Sequence, residues 1–326
     1  MKNYRSALVV FLTIALVISL ATAALGQDKG VIQKVKKSGV LKVGCREAAR
    51  PFAYVDENGD MVGFSQDMAF LLADKLEERV GREVKVRQIP FAGASRVPIV
   101  AQGTIDIEMG SSTHTAPRDD VLDFSLPYFL SETVFMVRKG EGIDSLEDLD
   151  GKIVGSMRAT TNLKALQEKV DAGEINPRNV VVVETHARGF QALRTKKVDA
   201  YFTDTSLLTG LKASAKNPED YVIIKESIHA EPYGWMMREN DSDWKDFVNN
   251  FLIWTLDTKC SAELDTLSEL GIMDECEEPQ FTIFDAIYDK WMGPDTATPI
   301  PRTRAFNNLL DGMKFPDVDQ VWPKKE

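Results

Sequence analysis

Two kinds of apolar run alternate through the first third of the chain, and their order limits the fold more than any single motif does. "VLKVGC" (residues 40 to 45) and "VKVRQI" (84 to 89) have the length and β-branched content of buried strands. Between them, "SQDMAFLLADKLEERVG" (65 to 81) places apolar residues at helical spacing, with Ser65 positioned as N-cap and Gly81 as the stop. "SRVPIVAQG" then reads as a short helix leading into a third strand, "TIDIEMG". Strand alternating with helix predicts an α/β fold with a parallel sheet and argues against a helical bundle or a β-sandwich.

The alternation recurs further on. "ETVFMV" (132 to 137) is an apolar strand leaving the first unit, and "GIDSLEDLDGKIVG" opens a second sheet. When "PIVAQGTIDIEMGS" is laid on "QALRTKKVDAYFTD", Asp106 matches Asp199. In both, a helix ends, an aspartate opens a strand, and a polar residue, Ser111 or Asp204, follows five positions later. Ligands in open α/β sheets gather beyond the carboxyl ends of strands, so two such units facing each other would form a cleft. Ordinary α/β punctuation could produce the same match by coincidence.

A chain of 326 residues exceeds what one hydrophobic core usually serves, which predicts two lobes. "YGWMMREN" reads as a strand returning to the first lobe, and "DWKDFVNNFLIWTLDT" as a helix closing it. The expected organisation is a signal peptide at 1–26, a discontinuous lobe 1 at 27–135 and 232–326, and lobe 2 at 136–231. The proline-containing tail "GPDTATPIPRTR" is a strap that ends in a polar, poorly ordered terminus.

Lys2 and Arg5, an apolar stretch, then small residues at Ala24 and Gly26 form the pattern of a cleavable secretory signal, with Gln27 expected to begin the mature chain. The alternative is a retained membrane anchor. No cysteine stands at the junction to carry a lipid, so the predicted product is soluble and periplasmic. Removing two basic and no acidic residues takes the net charge from -11 to -13, which disfavours a nucleic-acid partner. Cys45, Cys260 and Cys276 all lie in the exported part, and three pairings are possible. Proximity in sequence favours Cys260 with Cys276, a bridge of about 3 kcal/mol on the chain-entropy estimate, with Cys45 left as a buried thiol.

GxSxG, HExxH, CxxC and phosphate-loop patterns are all missing, and three histidines leave little for a metal cluster, so neither cofactor nor metal is expected. In "GSSTHTAPRDD" (110 to 120), Thr115 can cap a helix with Pro117 in its first turn. Hydroxyls, backbone N–H groups and the Arg118 guanidinium would then converge as a carboxylate receptor. Arg118 could equally be a surface arginine paired with Asp119 or Asp120.

"GCREAARPFAYVDENGDMVGFSQDMAFLLADKL", "SRVPIVAQGTIDIEMGSSTHTAPR", "ATTN", "ETHARGFQAL" and "VDAYFTD", in that order, resemble the periplasmic solute-binding proteins for polar amino acids, family 3, and within it the glutamate/aspartate-binding branch. The similarity runs from about residue 31 to "DKWMGP" near 290. The resemblance implies a type II periplasmic binding protein fold, with two lobes of mostly parallel sheet flanked by helices. Two hinge strands, "FMVRK" and the run before "YGWMM", would join them, and the clamp would deliver an amino acid to an inner-membrane ABC permease, with monomer the expected state. It places the α-carboxylate on Arg118 with Ser111 and Thr113 beside it, adds Thr160 and Thr161 as donors at a helix start, and gives the ligand ammonium to Asp204. Arg46, Arg96 and His186 fall where the side-chain carboxylate is gripped.

Arg158, Gly93 and Cys45 depart from the family pattern at the loop before Thr160, beside Arg96 and beside Arg46 respectively. Three arginines and one aspartate leave the pocket with surplus positive charge, which Glu108, in the strand before Ser111, could offset. The competing readings are a general binder of Glu, Asp, Gln and Asn, and an exported cyclohexadienyl or arogenate dehydratase on the same fold; the leading expectation is binding without turnover.

Overall fold

A computed structural model describes residues 30–91, 93–260, 265–272 and 281–313. The first lobe opens with helix α1 (Val31–Ser38) and strand β1 (Val40–Cys45). A small antiparallel sheet of β2 (Ala48–Ala49), β3 (Ala53–Val55) and β4 (Met61–Val62) follows, then α2 (Phe64–Val80) and β5 (Lys85–Pro90). Helix α3 (Arg96–Ala101), β6 (Ile107–Glu108), the single turn α4 (Ala116–Asp119) and β7 (Asp123–Phe124) lead to the long β8 (Phe129–Arg138). The second lobe alternates β9 (Ile153–Met157), α5 (Thr161–Asp171), β10 (Asn179–Val183), α6 (His186–Arg194), β11 (Ala200–Asp204) and α7 (Thr205–Ala213). Strand β12 (Tyr221–Tyr233) then returns to β13 (Met236–Met237), and α8 (Ser242–Asp257) packs on the first lobe.

The first sheet has the order β5-β1-β6-β13-β7 and the second β10-β9-β11-β8-β12, each with three neighbouring parallel strands and one reversed strand, β13 or β8, between them and the last. Strand β8 shows why the second sheet is hydrophobic in both directions. Val134 and Met136 enter the core on one face, Phe135 and Val137 the core on the other, as the two-residue period of a strand requires.

The internal match on Asp106 and Asp199 has a structural cause. Asp106 accepts from the backbone N–H of Lys42 at 2.9 Å, and its own N–H donates to the Lys42 carbonyl at 2.9 Å. Asp199 does the same with Ile153, at 2.8 Å and 2.7 Å. In each lobe an aspartate thereby ties the start of one parallel strand to its neighbour.

Three expectations shift. Helix α2 begins one residue before Ser65, and its N-cap is Gly63, at φ +130°, where a Cβ would stand 2.4 Å from the Phe52 carbonyl oxygen. Ser65 is instead buried inside the first turn. Gly81 is the stop, in the left-handed conformation. "TIDIEMG" supplies only the two residues Ile107 and Glu108 to the sheet. "FMVRK" lies within the second sheet, with Phe135 opposite Phe202 and Met136 opposite Tyr201. The crossing runs earlier, through Phe129–Thr133 paired with His229–Tyr233, where Phe129 and Tyr233 still belong to the first lobe's core.

Cys45 is a free, buried thiol and Cys260 is disulfide-bonded. Cys276 and the signal region lie outside the described residues.

Candidate functional site

Every polar residue singled out for the site follows the carboxyl end of a strand. Arg46 comes directly after β1, Arg96 after β5, and Ser111, Thr113 and Arg118 after β6. Thr160 and Thr161 follow β9, His186 follows β10, and Asp204 ends β11. Parallel strands aim their carboxyl ends the same way, so the two sheets bring these residues to one cleft.

The three guanidiniums of Arg46, Arg96 and Arg118 converge there. Each guanidinium makes one hydrogen bond to a neutral oxygen within the first lobe. Arg46 Nη2 donates to the Ser111 carbonyl at 3.3 Å, Arg96 Nη1 to Ser112 Oγ at 3.1 Å, and Arg118 Nη1 to the Thr113 carbonyl at 2.6 Å. Among the described residues none of the three forms an ion pair. Arg46 Nε, Arg96 Nε and Ser111 Oγ are buried without a hydrogen-bond partner among them. Burial and then the neighbouring guanidiniums hold Arg96 well below the usual arginine range and Arg118 in the same direction. Buried like charges of this kind call for an anion.

His186 occupies a different role from the one expected. Its Nε2 lies 3.2 Å from Arg46 Nη1 and its Nδ1 3.0 Å from the Tyr201 hydroxyl. Burial, then Arg46 and Arg96, push its pKa well below the ordinary imidazole value, so the ring is neutral. A guanidinium only donates; Nε2 must therefore accept, and Nδ1 carries the proton toward Tyr201. His186 holds Arg46 in place, with neither ring nitrogen left to grip a carboxylate directly.

Thr160 is also committed elsewhere. It is the N-cap of α5, accepting from Leu163 N at 3.1 Å and donating to the Met157 carbonyl at 2.7 Å. Thr161 is free of that duty. Asp204 stands at the N-cap position of α7 but makes no side-chain cap bond. Its carboxylate accepts instead from Asn162 Nδ2 at 3.3 Å. Burial, followed by repulsion from Glu231, pushes this carboxyl up to about 7.

Two participants escaped the sequence reading. Glu231 is fully buried on β12 and accepts from the hydroxyls of Thr113, Thr161 at 2.7 Å and Thr133 at 2.6 Å, and from Asn162 Nδ2 at 3.3 Å. It reaches Thr113 because the loop after β6 zips onto the chain following Glu231, His114 N–H donating to the Pro232 carbonyl and Gly234 N–H to that of Ser112. Asn162, within the "ATTN" motif, bonds both Glu231 and Asp204. Only the proximity of Asn162 to the threonine pair was a signal; Glu231 had none.

Glu108 is buried with both carboxylate oxygens unpartnered among the described residues, and its charge acts on Arg96 and Arg118. With Asp204, Glu231 and Glu108, the cleft holds as many carboxyls as guanidiniums. Burial, aided by Glu108, pushes the Cys45 thiol up to about 12, so it packs as an inert group. Gly93 sits where the lobes meet, since a Cβ there would stand 2.8 Å from the Met157 methyl. Arg158 is turned outward to Glu184 at 3.2 Å.

A cleft between two α/β lobes, lined by buried guanidiniums from one and carboxylates from the other, is that of a two-lobed binding protein for a small charged solute. Residues 41–265 match the bacterial extracellular solute-binding proteins, family 3, and the chain belongs to that family. It is 30% identical over 286 residues to a glutamate/aspartate import solute-binding protein of Salmonella typhimurium, covering 87% of this chain and 85% of the relative. It is 30% identical over 294 residues to an L-glutamate/L-aspartate-binding protein of Pseudomonas aeruginosa, covering 89% and 88%. Its fold matches an ABC transporter periplasmic binding protein from Brucella ovis with glutathione bound. That match has a TM-score of 0.72 at 25% identity and covers 84% of this chain and 94% of that one. No helix among the described residues is long and apolar enough to cross a membrane.

Proposed function

We propose that this chain is the periplasmic substrate-binding component of an amino-acid ABC importer, exported by cleavage after residue 26, and that its ligand is glutamate or aspartate. Arg118, with backbone N–H groups at the start of α5, takes the α-carboxylate. Asp204 takes the ammonium from the opposite lobe. Arg46 and Arg96 take the side-chain carboxylate, with His186 bracing Arg46. The observation that carries this reading is the cluster of three guanidiniums, those of Arg46 and Arg96 buried and that of Arg118 half-buried, without an ion-pairing carboxylate among the described residues. A dicarboxylate supplies Arg46 and Arg96 with charge-assisted hydrogen bonds, whereas an amide offers them only a neutral acceptor. The names of the Salmonella and Pseudomonas relatives support the same ligand class. Among the described residues, lobe 1 is then the part before 129 and after 233 and lobe 2 the part from 134 to 228, with Phe129–Thr133 and His229–Tyr233 as the flexing pair.

The reading contains binding and closure but no turnover. Its test is calorimetric titration of the mature protein, unfolded and refolded to remove carried ligand, with L-glutamate, L-aspartate, L-glutamine and L-asparagine. Tight acids with weak amides support it; equal amides support a general polar amino-acid binder; turnover of prephenate or arogenate would move the chain to the dehydratases.

One observation favours a second ligand class. A groove of about 500 Å³, lined in part by Phe91, Met157, Arg46 and His186, opens at the side-chain end of the site. A γ-glutamyl peptide would place its glutamyl part on Arg118 and Asp204 and extend into this groove, as the glutathione-bound Brucella neighbour suggests. Glutathione belongs in the same titration, where binding tighter than that of glutamate would favour this second class.

A further inference from the structure

Glu231 gathers threonine hydroxyls from both lobes. Its Oε2 accepts from Thr113 of the first lobe and from Thr161 of the second at 2.7 Å. Its Oε1 accepts from Thr133 on the crossing strand at 2.6 Å and from Asn162 at 3.3 Å. Of the four lone pairs in the carboxylate plane, three take threonine hydrogens, and the fourth shares the two hydrogens of Asn162 Nδ2 with Thr133 Oγ1 at 2.8 Å and Asp204 at 3.3 Å. Glu231 thus spends most of its acceptor capacity on threonine hydroxyls, although it sits among residues that face a ligand.

What it does have is control over the hydroxyls. A threonine hydroxyl carries one hydrogen and two lone pairs. When the hydrogen is given to Glu231, what remains on the oxygen is acceptor capacity. Thr113 Oγ1 and Thr161 Oγ1 lie 3.4 Å apart across the two lobes. Asp204, bonded through Asn162 to the same network, contributes a third acceptor. We propose that Glu231 is a positioning residue for ligand recognition: by taking the hydroxyl hydrogens of Thr113 and Thr161 it fixes both oxygens as acceptors, which together with Asp204 match the three N–H bonds of a primary ammonium. Thr113 and Thr161 then serve the amino end of the ligand, and the α-carboxylate is left to Arg118 and backbone N–H groups. Because the two hydroxyls come from opposite lobes, the set is complete only when the cleft is closed, which couples recognition of the amine to closure. This inference rests on the amino-acid reading above.

A double-mutant cycle on the mature chain tests it, with L-glutamate affinity measured by calorimetry for the wild type, Glu231→Gln, Thr161→Val and the double variant. Each single change is expected to weaken binding about tenfold or more, and the double variant to be within about threefold of the weaker single. Losses that multiply overturn the proposal. Glutarate, which has two carboxylates and no ammonium, should lose no more than about twofold on Glu231→Gln in competition; a loss as large as that of glutamate overturns it. If Glu231→Gln does not fold, Thr161→Ser should bind within about threefold of the wild type while Thr161→Val loses tenfold, and equal losses overturn it. A wild-type protein that binds no α-amino acid defeats the functional reading itself, whereas glutamate binding with multiplying losses defeats only the role of Glu231.

Discussion

Arg46 Nη1 and His186 Nε2 meet at 3.2 Å across the two lobes, with the guanidinium donating and the neutral imidazole accepting. A group that donates at this position cannot replace the histidine. His186→Lys should therefore lower glutamate affinity more than His186→Gln, whose amide oxygen still accepts; calorimetry on both variants checks the order, and equal losses would show that Arg46 needs no acceptor. The effect should lie in the range of about 1.5–3 kcal/mol for a charge-assisted hydrogen bond.

Arg96 discriminates acids from amides if it meets the side-chain carboxylate. Arg96→Met should cost glutamate about 1.5–3 kcal/mol and glutamine much less. Parallel losses for both ligands would place Arg96 outside the side-chain end of the pocket.

Asp204 gives the site a pH dependence of calculable sign. Burial and then Glu231 push its carboxyl up to about 7, and a ligand ammonium favours the ionised form, so binding releases a proton below that pH. Glutamate affinity should fall as the pH drops below about 7, by up to tenfold per unit, and Asp204→Asn should bind weakly without that slope. Stability of the free protein runs the other way. A carboxyl whose folded value is raised from 3.8 to about 7 contributes most at low pH, and that contribution is lost as the pH rises from about 3.8 to about 7 and is constant above it. Thermal melts should find the Asp204→Asn variant gaining on the wild type between about pH 4 and about pH 7 and no further above it; a constant gap across that window would contradict the assignment.

Glu108 offsets the charge of Arg96 and Arg118 through space. Glu108→Gln leaves those guanidiniums less compensated, so the ligand-free Tm should fall and the Tm rise produced by glutamate should grow. An unchanged free Tm and unchanged ligand response would remove Glu108 from the charge balance of the cleft.

Gly210, in α7 of the second lobe, faces the first lobe so closely that a Cβ would lie 2.2 Å from the Arg50 carbonyl oxygen. Alanine inside a helix is ordinarily favoured over glycine by roughly 0.5–1 kcal/mol. Gly210→Ala should therefore leave the open, ligand-free protein at least as stable while weakening glutamate binding about tenfold or more by propping the lobes apart. Small-angle scattering with and without glutamate checks whether closure is lost; an unchanged affinity would mean that this contact is not part of the closed state.

Much of the architecture was legible because it is written in local chemistry. "VLKVGC" forms its strand where expected, and Gly81 stops its helix in the left-handed conformation. Asp106 and Asp199 mark the same strand-tying bond in both lobes. Arg46, Arg96, Ser111, Thr113, Arg118, Thr161 and Asp204 follow strand ends, and parallel sheets carry strand ends to one edge, so a linear motif was enough to bring them together.

What the sequence left open depends on distances that no local pattern encodes. Whether His186 grips a ligand or braces Arg46 is decided by a contact between residues 140 positions apart, and by burial that removes its charge. Glu231 lies inside a strand, two residues before its last one, in a run, "SIHAEPY", without helical or catalytic spacing. Its link to Thr113 spans 118 positions and exists only because two crossing strands lay it against a loop of the first lobe and a helix start of the second. Periodicity and strand punctuation set the sheets and the edge where the polar groups gather; the donor and acceptor assignment within that edge is a property of groups desolvated together, and only the tertiary structure brings them to hydrogen-bonding distance.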